Sequence, residues 1–215
     1  MDLATFSFYF AVGCSQLVII PILVGLWRKH FLSKALWVFW RFLLLAFLLT
    51  NVSIGLAYSG IHNHFMNYFD SLNVAILPIY YFKILFREHV LAKWIPYAGL
   101  LGVLLLLLDG FWLSGFYNVN GLSSSVINFM VLSLAFLYLK YSFSAQTSYL
   151  RQPNVYICIG LMVAFAVEFV FSLFKEKLLH TDATYRVYFE MANLKYFFRL
   201  IALFLYTVSF KKATK

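Results

Sequence analysis

Seven long apolar stretches, separated by short polar segments, constrain the fold of this chain more than any other feature. A helix needs roughly 20 mostly apolar residues to cross the hydrocarbon core of a bilayer. The stretches cover residues 3–26, 35–58, 67–86, 94–111, 122–143, 153–174 and 185–210. We therefore predict an all-α integral membrane protein with seven transmembrane helices, numbered spans 1 to 7, in a single domain over residues 1–215.

Composition excludes the soluble alternatives. The chain is 63% hydrophobic and 12% charged, whereas a soluble domain carries about twice that share of charge. A chain of 215 residues has too much surface relative to its volume to hide so much apolar area. The net charge of +9 does not indicate nucleic-acid binding, because the basic residues are scattered between the apolar stretches.

The basic residues predict the orientation in the membrane. Loops on the cytoplasmic side carry an excess of Lys and Arg, and eleven of the seventeen basic residues fall on one side of the predicted helices. The opposite side has only Lys175 and Lys177. We expect the N-terminus outside and the C-terminus inside, in a multi-pass protein of the cell's inner membrane. The eleven are Arg28, Lys29, Lys34, Lys83, Arg87, Lys93, Lys140, Arg151, Lys211, Lys212 and Lys215.

Spans 3 and 7 begin with matching motifs. Both read Tyr-Phe-acid-x-x-Asn, with Asp70 and Asn73 in span 3 and Glu190 and Asn193 in span 7. Residues three apart share one helical face. A parallel repeat of three spans, one linking span and three more would produce this pattern; chance similarity in a chain rich in Tyr and Phe is the alternative.

Polar and charged side chains within the spans are the candidate ligand-binding residues, because ionisable groups in a bilayer are costly. At 1.5 Å per residue, Glu168 lies about 9 Å deep and Lys195 lies about 15 Å deep, near the midplane. A structural ion pair and a ligand or ion site are both open for these groups. The candidates are Asp70, Asn73, Glu168, Glu190, Asn193, Lys195 and Arg199.

The candidates on span 7 do not share one face. Lys195 and Arg199 lie about 140–180° around the helix from Glu190 at 100° per residue, so the helix cannot aim all three at one pocket. Pro21 and Pro78 are expected to kink spans 1 and 3. Asp109 lies near the end of a span, where we expect it to be hydrated.

Motifs for catalysis, cofactors and metals do not occur in the sequence. It has no phosphate-binding Gly-rich loop, no His-Glu-x-x-His helix and no Gly-x-Ser-x-Gly turn. Cys14 and Cys158 lie within apolar runs and are interpreted as core residues. We expect a protein that is not an enzyme and has no cofactor and no metal site.

Three segments resemble a group of small seven-span proteins of Bacteroidota that are often encoded beside sensor histidine kinases. The segments are Asn63-His64-Phe65-Met66-Asn67-Tyr68, Gln152-Pro153-Asn154-Val155-Tyr156-Ile157, and Asn193 with the aromatic run that follows it. The resemblance covers most of the chain. Proteins of that group commonly carry an acid in span 3, near Asp70–Asn73. The resemblance implies a sensory or accessory role in the membrane.

Three functions remain open at this stage. The first is a non-catalytic, receptor-like or sensory accessory module with an outward-facing polar pocket among spans 2, 3, 6 and 7. Because its loops are too short to form a signalling domain, its output would require a membrane-protein partner such as a sensor kinase. The second is a facilitator or ion-coupled transporter for a small polar solute or ion. The third is a structural subunit of a larger membrane complex.

Overall fold

The described residues of the computed structural model are 3–113, 115, 120–145, 152–178 and 182–214, and they contain helices and no strand. Two short 3-10 helices, Lys29–Phe31 and Val90–Lys93, and a π-helical segment, Asp109–Leu113, flank the α-helices. The α-helices are α1 Leu3–Gln16, α2 Ile19–Trp27, α3 Lys34–Tyr58, α4 Met66–Leu85, α5 Ile95–Leu108, α6 Gly121–Ala145, α7 Pro153–Leu178 and α8 Asp182–Lys212.

Span 1 is interrupted, and Pro21 explains the interruption. Proline has no N–H, and its ring crowds the carbonyl four residues earlier, which here belongs to Leu17. The Leu17 carbonyl instead accepts from the N–H of Ile20 at 3.1 Å, and the helix breaks between α1 and α2. Pro78 has a weaker effect, because α4 continues through it.

Within the described residues, six helical segments are long and apolar enough to cross a membrane. They are Leu3–Trp27, Lys34–Tyr58, Val90–Leu113, Gly121–Ser144, Pro153–Lys175 and Arg186–Lys212. Their outward faces are apolar: Leu23, Leu104 and Phe204 are 55%, 48% and 67% exposed. Lipid tails cover such a surface and water does not, so the chain is a multi-pass membrane protein.

The remaining long helix, α4, has 20 residues and is more polar, since it carries Asn67, Asp70 and Asn73. It lies inside the bundle, against α3, α5 and α6. Nine of its residues are buried, among them Tyr68, Tyr81 and Phe82. Protein therefore surrounds much of α4, and its polar face need not meet lipid.

Consecutive long helices of the second half run antiparallel. At one end of the α7–α8 pair the Ser209 hydroxyl donates to the Pro153 carbonyl at 2.8 Å, and at the other end the Phe171 and Tyr188 rings lie 5.5 Å apart. We call the end at which α1, α4, α6 and α8 begin the upper end, and the opposite end the lower end.

Span 1 runs parallel to α8 along its whole length. Near the upper end the Asn193 amide donates to the Ser7 hydroxyl at 2.9 Å. At the lower end the Arg28 guanidinium donates to the Ala213 carbonyl at 2.7 Å. These contacts bring the first and last spans side by side and close the bundle.

Five buried aromatic side chains fill the centre of the bundle toward the lower end. Phe39, Tyr81, Phe82 and Phe210 are fully buried, and Tyr206 is 4% exposed. The Phe39 ring lies 4.8 Å from the Tyr206 ring and 5.5 Å from the Tyr81 ring. We call this group the aromatic plug; it closes the lower half of the bundle.

Candidate ligand-binding cavity

Above the aromatic plug, a cavity of about 350 Å³ extends to the first turns of α4 and α6 at the upper end. Side chains of α1, α3, α4, α6, α7 and α8 line it. Its volume lies at the lower end of the range, about 300–1,000 Å³, that small-molecule sites occupy. The bundle therefore has room for one small solute.

Helical spacing brings polar side chains from four helices to this cavity. They recur every three or four residues, the spacing of one helical face. The polar lining residues of these helices are Asn67, Asp70 and Ser71 on α4, Asn120, Ser124 and Asn128 at the start of and along α6, Glu168, Ser172 and Lys175 on α7, and Lys195, Tyr196, Arg199 and Tyr206 on α8.

One ion pair spans the cavity wall between α7 and α8. The Lys195 ammonium lies 3.5 Å from a Glu168 carboxylate oxygen. It also lies 4.7 Å from the centre of the Phe171 ring and 5.0 Å from that of Tyr196, where the ring faces attract a cation. The side chains are 16% and 35% exposed, Lys195 being the more enclosed. The Lys195 ammonium thus has one carboxylate and two aromatic rings as neighbours.

Three further charged groups face the cavity without such a partner. Asp70, Lys175 and Arg199 line it, and none of them forms a salt bridge or a hydrogen bond with another described side chain. With all five groups ionised, three bases and two acids leave the cavity one positive charge in excess.

The charged groups lie at different heights above the aromatic plug. Tyr81 and Tyr206 belong to the plug, so rises of 1.5 Å per residue place Arg199 about 10 Å and Asp70 about 16 Å above it. The same rise, counted from Gly160 beside Tyr206, places Lys175 about 22 Å above it. The guanidinium is therefore the deepest charge, and Lys175 lies near the upper end.

Amide and hydroxyl groups form a second polar wall between α4, α6 and α7. The Asn120 amide donates to the Ser71 hydroxyl at 2.9 Å, and the Ser71 and Ser124 hydroxyls share a hydrogen bond of 2.8 Å. Deeper in the bundle, the Asn128 amide donates to Ser172 at 3.4 Å. These uncharged groups link α4, α6 and α7 and offer both donors and acceptors to a solute.

Asp70, Glu168, Lys195 and Arg199, four of the seven predicted site residues, line this cavity. The other three lie elsewhere. Asn73 is buried against α3 and donates to the Phe42 carbonyl at 3.3 Å. Asn193 contacts Ser7 on α1. Glu190 is exposed and pairs with Arg186 one turn away, at 2.9 Å. Glu190 does not face the cavity because it lies on a different face of the helix from Lys195, as their angular offset predicted.

The matching motifs of spans 3 and 7 have different surroundings. Asp70 faces the cavity, whereas Glu190 faces away from it. Asn73 bonds to span 2 and Asn193 to span 1, although a three-plus-one-plus-three repeat would require Asn193 to bond to span 6. These contacts give the repeat no support.

The sequence-based prediction missed several of the residues that line the cavity. Lys175 was expected in an external segment, but α7 continues to Leu178 and carries it into the cavity wall. Asn120, Ser124 and Asn128 follow one another at intervals of four, and that spacing was the available signal. Asp109 was expected to be hydrated; it is 2% exposed and accepts a hydrogen bond from Ser123.

Among the described residues, no group of three or more His, Cys, Asp or Glu side chains is arranged to hold a metal ion. Comparison with protein-family models, with curated proteins and with solved structures finds no match for this chain. Its own residues therefore carry the functional argument.

Proposed function

We propose that this chain is a non-catalytic, receptor-like or sensory accessory protein that binds a small polar solute in the cavity above the aromatic plug. The observation that carries the proposal is the cavity itself, into which Asp70, Lys175 and Arg199 turn charges that no described side chain pairs. Asp70 is exposed to the cavity, and Lys175 and Arg199 are half-buried in its wall. Charged groups inside a membrane protein are costly unless they are paired or face a water-filled cavity, and a bound solute of complementary charge would pair them. Assembly alone does not require such an arrangement.

The proposal includes seven spans, because α4 (span 3) crosses the membrane in addition to the six long apolar segments. It also includes an N-terminus outside the cytoplasm. The basic residues at the lower end, for example Arg28, Lys34, Lys93 and Lys211, support a cytoplasmic location for that end by the positive-inside rule. Arg151 and Lys215, which belong to the same predicted set, lie outside the described residues. The cavity then faces outward, toward the periplasmic side of an inner membrane.

The aromatic plug favours reception over passage. It closes the bundle below the cavity, so a solute that arrives from the upper end stops about halfway through. The described residues form long helices joined by short connections, so we expect a membrane-protein partner, such as a sensor kinase, to contact the helices or the basic lower end and transmit the event.

One observation favours a transporter as the second candidate. Span 1 is broken at Leu17–Val18, and Ser15, before the break, and Val18, within it, line the cavity. Transporters commonly build their solute sites at interrupted helices. A hinge at this position would allow α1 and α2 to move separately.

Binding and uptake measurements test the proposal and separate its two forms. Purified protein in nanodiscs is screened by thermal unfolding against sugars, amino acids, carboxylates, amines, nucleosides and inorganic ions. We expect one class to raise the unfolding midpoint, and Arg199→Gln to remove the effect. Absence of uptake of that solute into proteoliposomes favours the receptor, and uptake favours the transporter. If no class shifts the midpoint of either protein, the cavity is structural and the proposal fails.

A further inference from the structure

The charge pattern of the cavity defines a class of solute. A plain anion would pair with Arg199 or Lys175 and leave Asp70 without a counter-charge. A plain cation would pair with Asp70 and leave both bases without a counter-charge. A neutral sugar would leave all three groups without one. Only a solute that carries both signs satisfies the deep guanidinium and the carboxylate above it at once.

The apolar part of the lining adds a second requirement. Below Arg199, the cavity is bounded by Phe42, Leu43, Phe165 and Leu203. Leu203 lies one turn below Arg199 on the same helix, and Leu43 lies one turn above Phe39 of the plug. These four side chains of the cavity floor contact apolar groups favourably and form no hydrogen bond with polar ones. A solute that fits has its charges at one end and a short apolar group at the other.

We infer that the cavity binds a small zwitterionic carboxylate of the amino-acid class, with its carboxylate on Arg199, its ammonium on Asp70 and an apolar side chain on the floor. The inference rests on the proposed function and names the solute of that same site. Guanidinium pairs well with a carboxylate because its planar fork matches the two oxygens. Lys175, near the upper end, attracts the carboxylate on its way in.

The position of the two charged groups suits this arrangement. Arg199 and Asp70 come from different helices, and rises of 1.5 Å per residue place them about 6 Å apart along the bundle axis. They form no salt bridge with each other, so a solute between them does not have to break one. The Lys195–Glu168 pair is already closed and is left to hold α7 against α8.

A matched set of three solutes tests the inference on the purified full-length protein. L-leucine has both charges and an apolar chain, 4-methylpentanoate is leucine without its ammonium, and 3-methylbutylamine is leucine without its carboxylate. We expect calorimetry to show leucine binding at least tenfold more tightly than either relative. L-valine and L-alanine serve as shorter members of the class.

Two variants assign the charges. Asp70→Asn should bring leucine down to the affinity of 4-methylpentanoate, and Arg199→Gln should bring it down to that of 3-methylbutylamine. Glu190→Gln is the matched control, because that carboxylate faces away from the cavity, and it should bind leucine as the wild type does. Circular dichroism and gel filtration confirm that each variant is folded.

The outcomes distinguish failure of the inference from failure of the proposed function. If another solute class binds, and Arg199→Gln weakens it, while leucine, valine and alanine do not bind, the amino-acid inference is overturned and the receptor proposal stands. Equal affinity for leucine and 4-methylpentanoate also overturns it. If no solute in the screen binds to the wild type, both fail.

Discussion

Lys195 and Glu168 place opposite charges 3.5 Å apart inside the bundle. Replacing Glu168 by Gln leaves the ammonium with its two aromatic neighbours and no counter-charge. Removing one partner of an enclosed pair leaves the other uncompensated, and we expect a loss of about 1–3 kcal/mol in the free energy of unfolding. Denaturant titration in mixed micelles measures it.

The exposed Arg186–Glu190 pair supplies the control. Its side chains are 80% and 53% exposed, and water-exposed pairs contribute little, so Glu190→Gln should change the free energy of unfolding by less than about 1 kcal/mol. The double variant Glu168→Gln, Lys195→Met should regain part of the loss, because it removes both charges. A double variant no more stable than Glu168→Gln would show that the pair does not couple the helices.

His64 supplies a pH dependence at the upper end. Its ring lies 4.6 Å from that of His62. Burial lowers the pKa of His64 below its ordinary value of 6.5, and the charges of His62 and Lys175 lower it further. Above pH 6.5 the ring is neutral in folded and unfolded chains. Below it the unfolded chain takes up the proton more readily, so stability is lost as the pH falls through the lowered pKa.

We therefore expect the thermal unfolding midpoint to fall as the pH drops below 6.5, and His64→Gln to flatten that fall. His30→Gln, at the lower end and exposed, is the control and should keep the wild-type profile. The same slope in all three proteins would assign the pH dependence to other groups.

At the scale of the helices, α7 and α8 approach each other closely at Gly160. A Cβ atom there would lie 2.5 Å from Cε1 of Tyr206 and 3.3 Å from the Ala202 carbonyl oxygen. The Tyr206 ring is almost fully buried and contacts Phe39, so it has little room to move. Overfilling a tight interior costs about 1–3 kcal/mol, which is the loss of unfolding free energy expected for Gly160→Ala.

Gly160→Ala should also weaken solute binding, because Tyr206 lines the cavity and any movement of its ring changes the floor. Gly13→Ala is the matched control: a Cβ atom at Gly13 meets nothing within 4 Å. Alanine favours the helix over glycine by up to about 1 kcal/mol, so this variant should be as stable as the wild type or slightly more so. Equal stability of both variants would contradict the close contact.

The helices were largely predictable from the sequence, because each span depends on local composition. The predicted stretch 35–58 corresponds to α3 Lys34–Tyr58 and the stretch 153–174 to α7 Pro153–Leu178. The site was only partly predictable. The depth of Glu168 and Lys195 is a property of one helix, whereas the partners of Asn73, Asn193 and Lys175 depend on how the helices rotate about their axes. That rotation cannot be read from a single sequence.

For the whole molecule, the position of α4 decides the number of spans. Gly60→Cys introduces a thiol between α3 and α4, and His89→Cys introduces one just beyond α4. In a background with Cys14→Ser and Cys158→Ala, which removes both native thiols, a membrane-impermeant maleimide applied to spheroplasts should label position 60 and leave position 89 unlabelled. Both positions should react after permeabilisation. Labelling of both in intact spheroplasts would mean that α4 does not cross.

The aromatic plug also sets the electrical behaviour of the bilayer around the protein. An ion that left the cavity downward would have to lose its hydration shell among the rings of Phe39, Phe82 and Phe210, and a constriction lined mainly by apolar rings is a barrier to conduction. A planar bilayer that contains the protein should therefore keep the conductance of bare lipid at either polarity. In the proposed orientation, a water-filled cavity would share the potential of the outer bath, and most of the membrane voltage would fall across the plug.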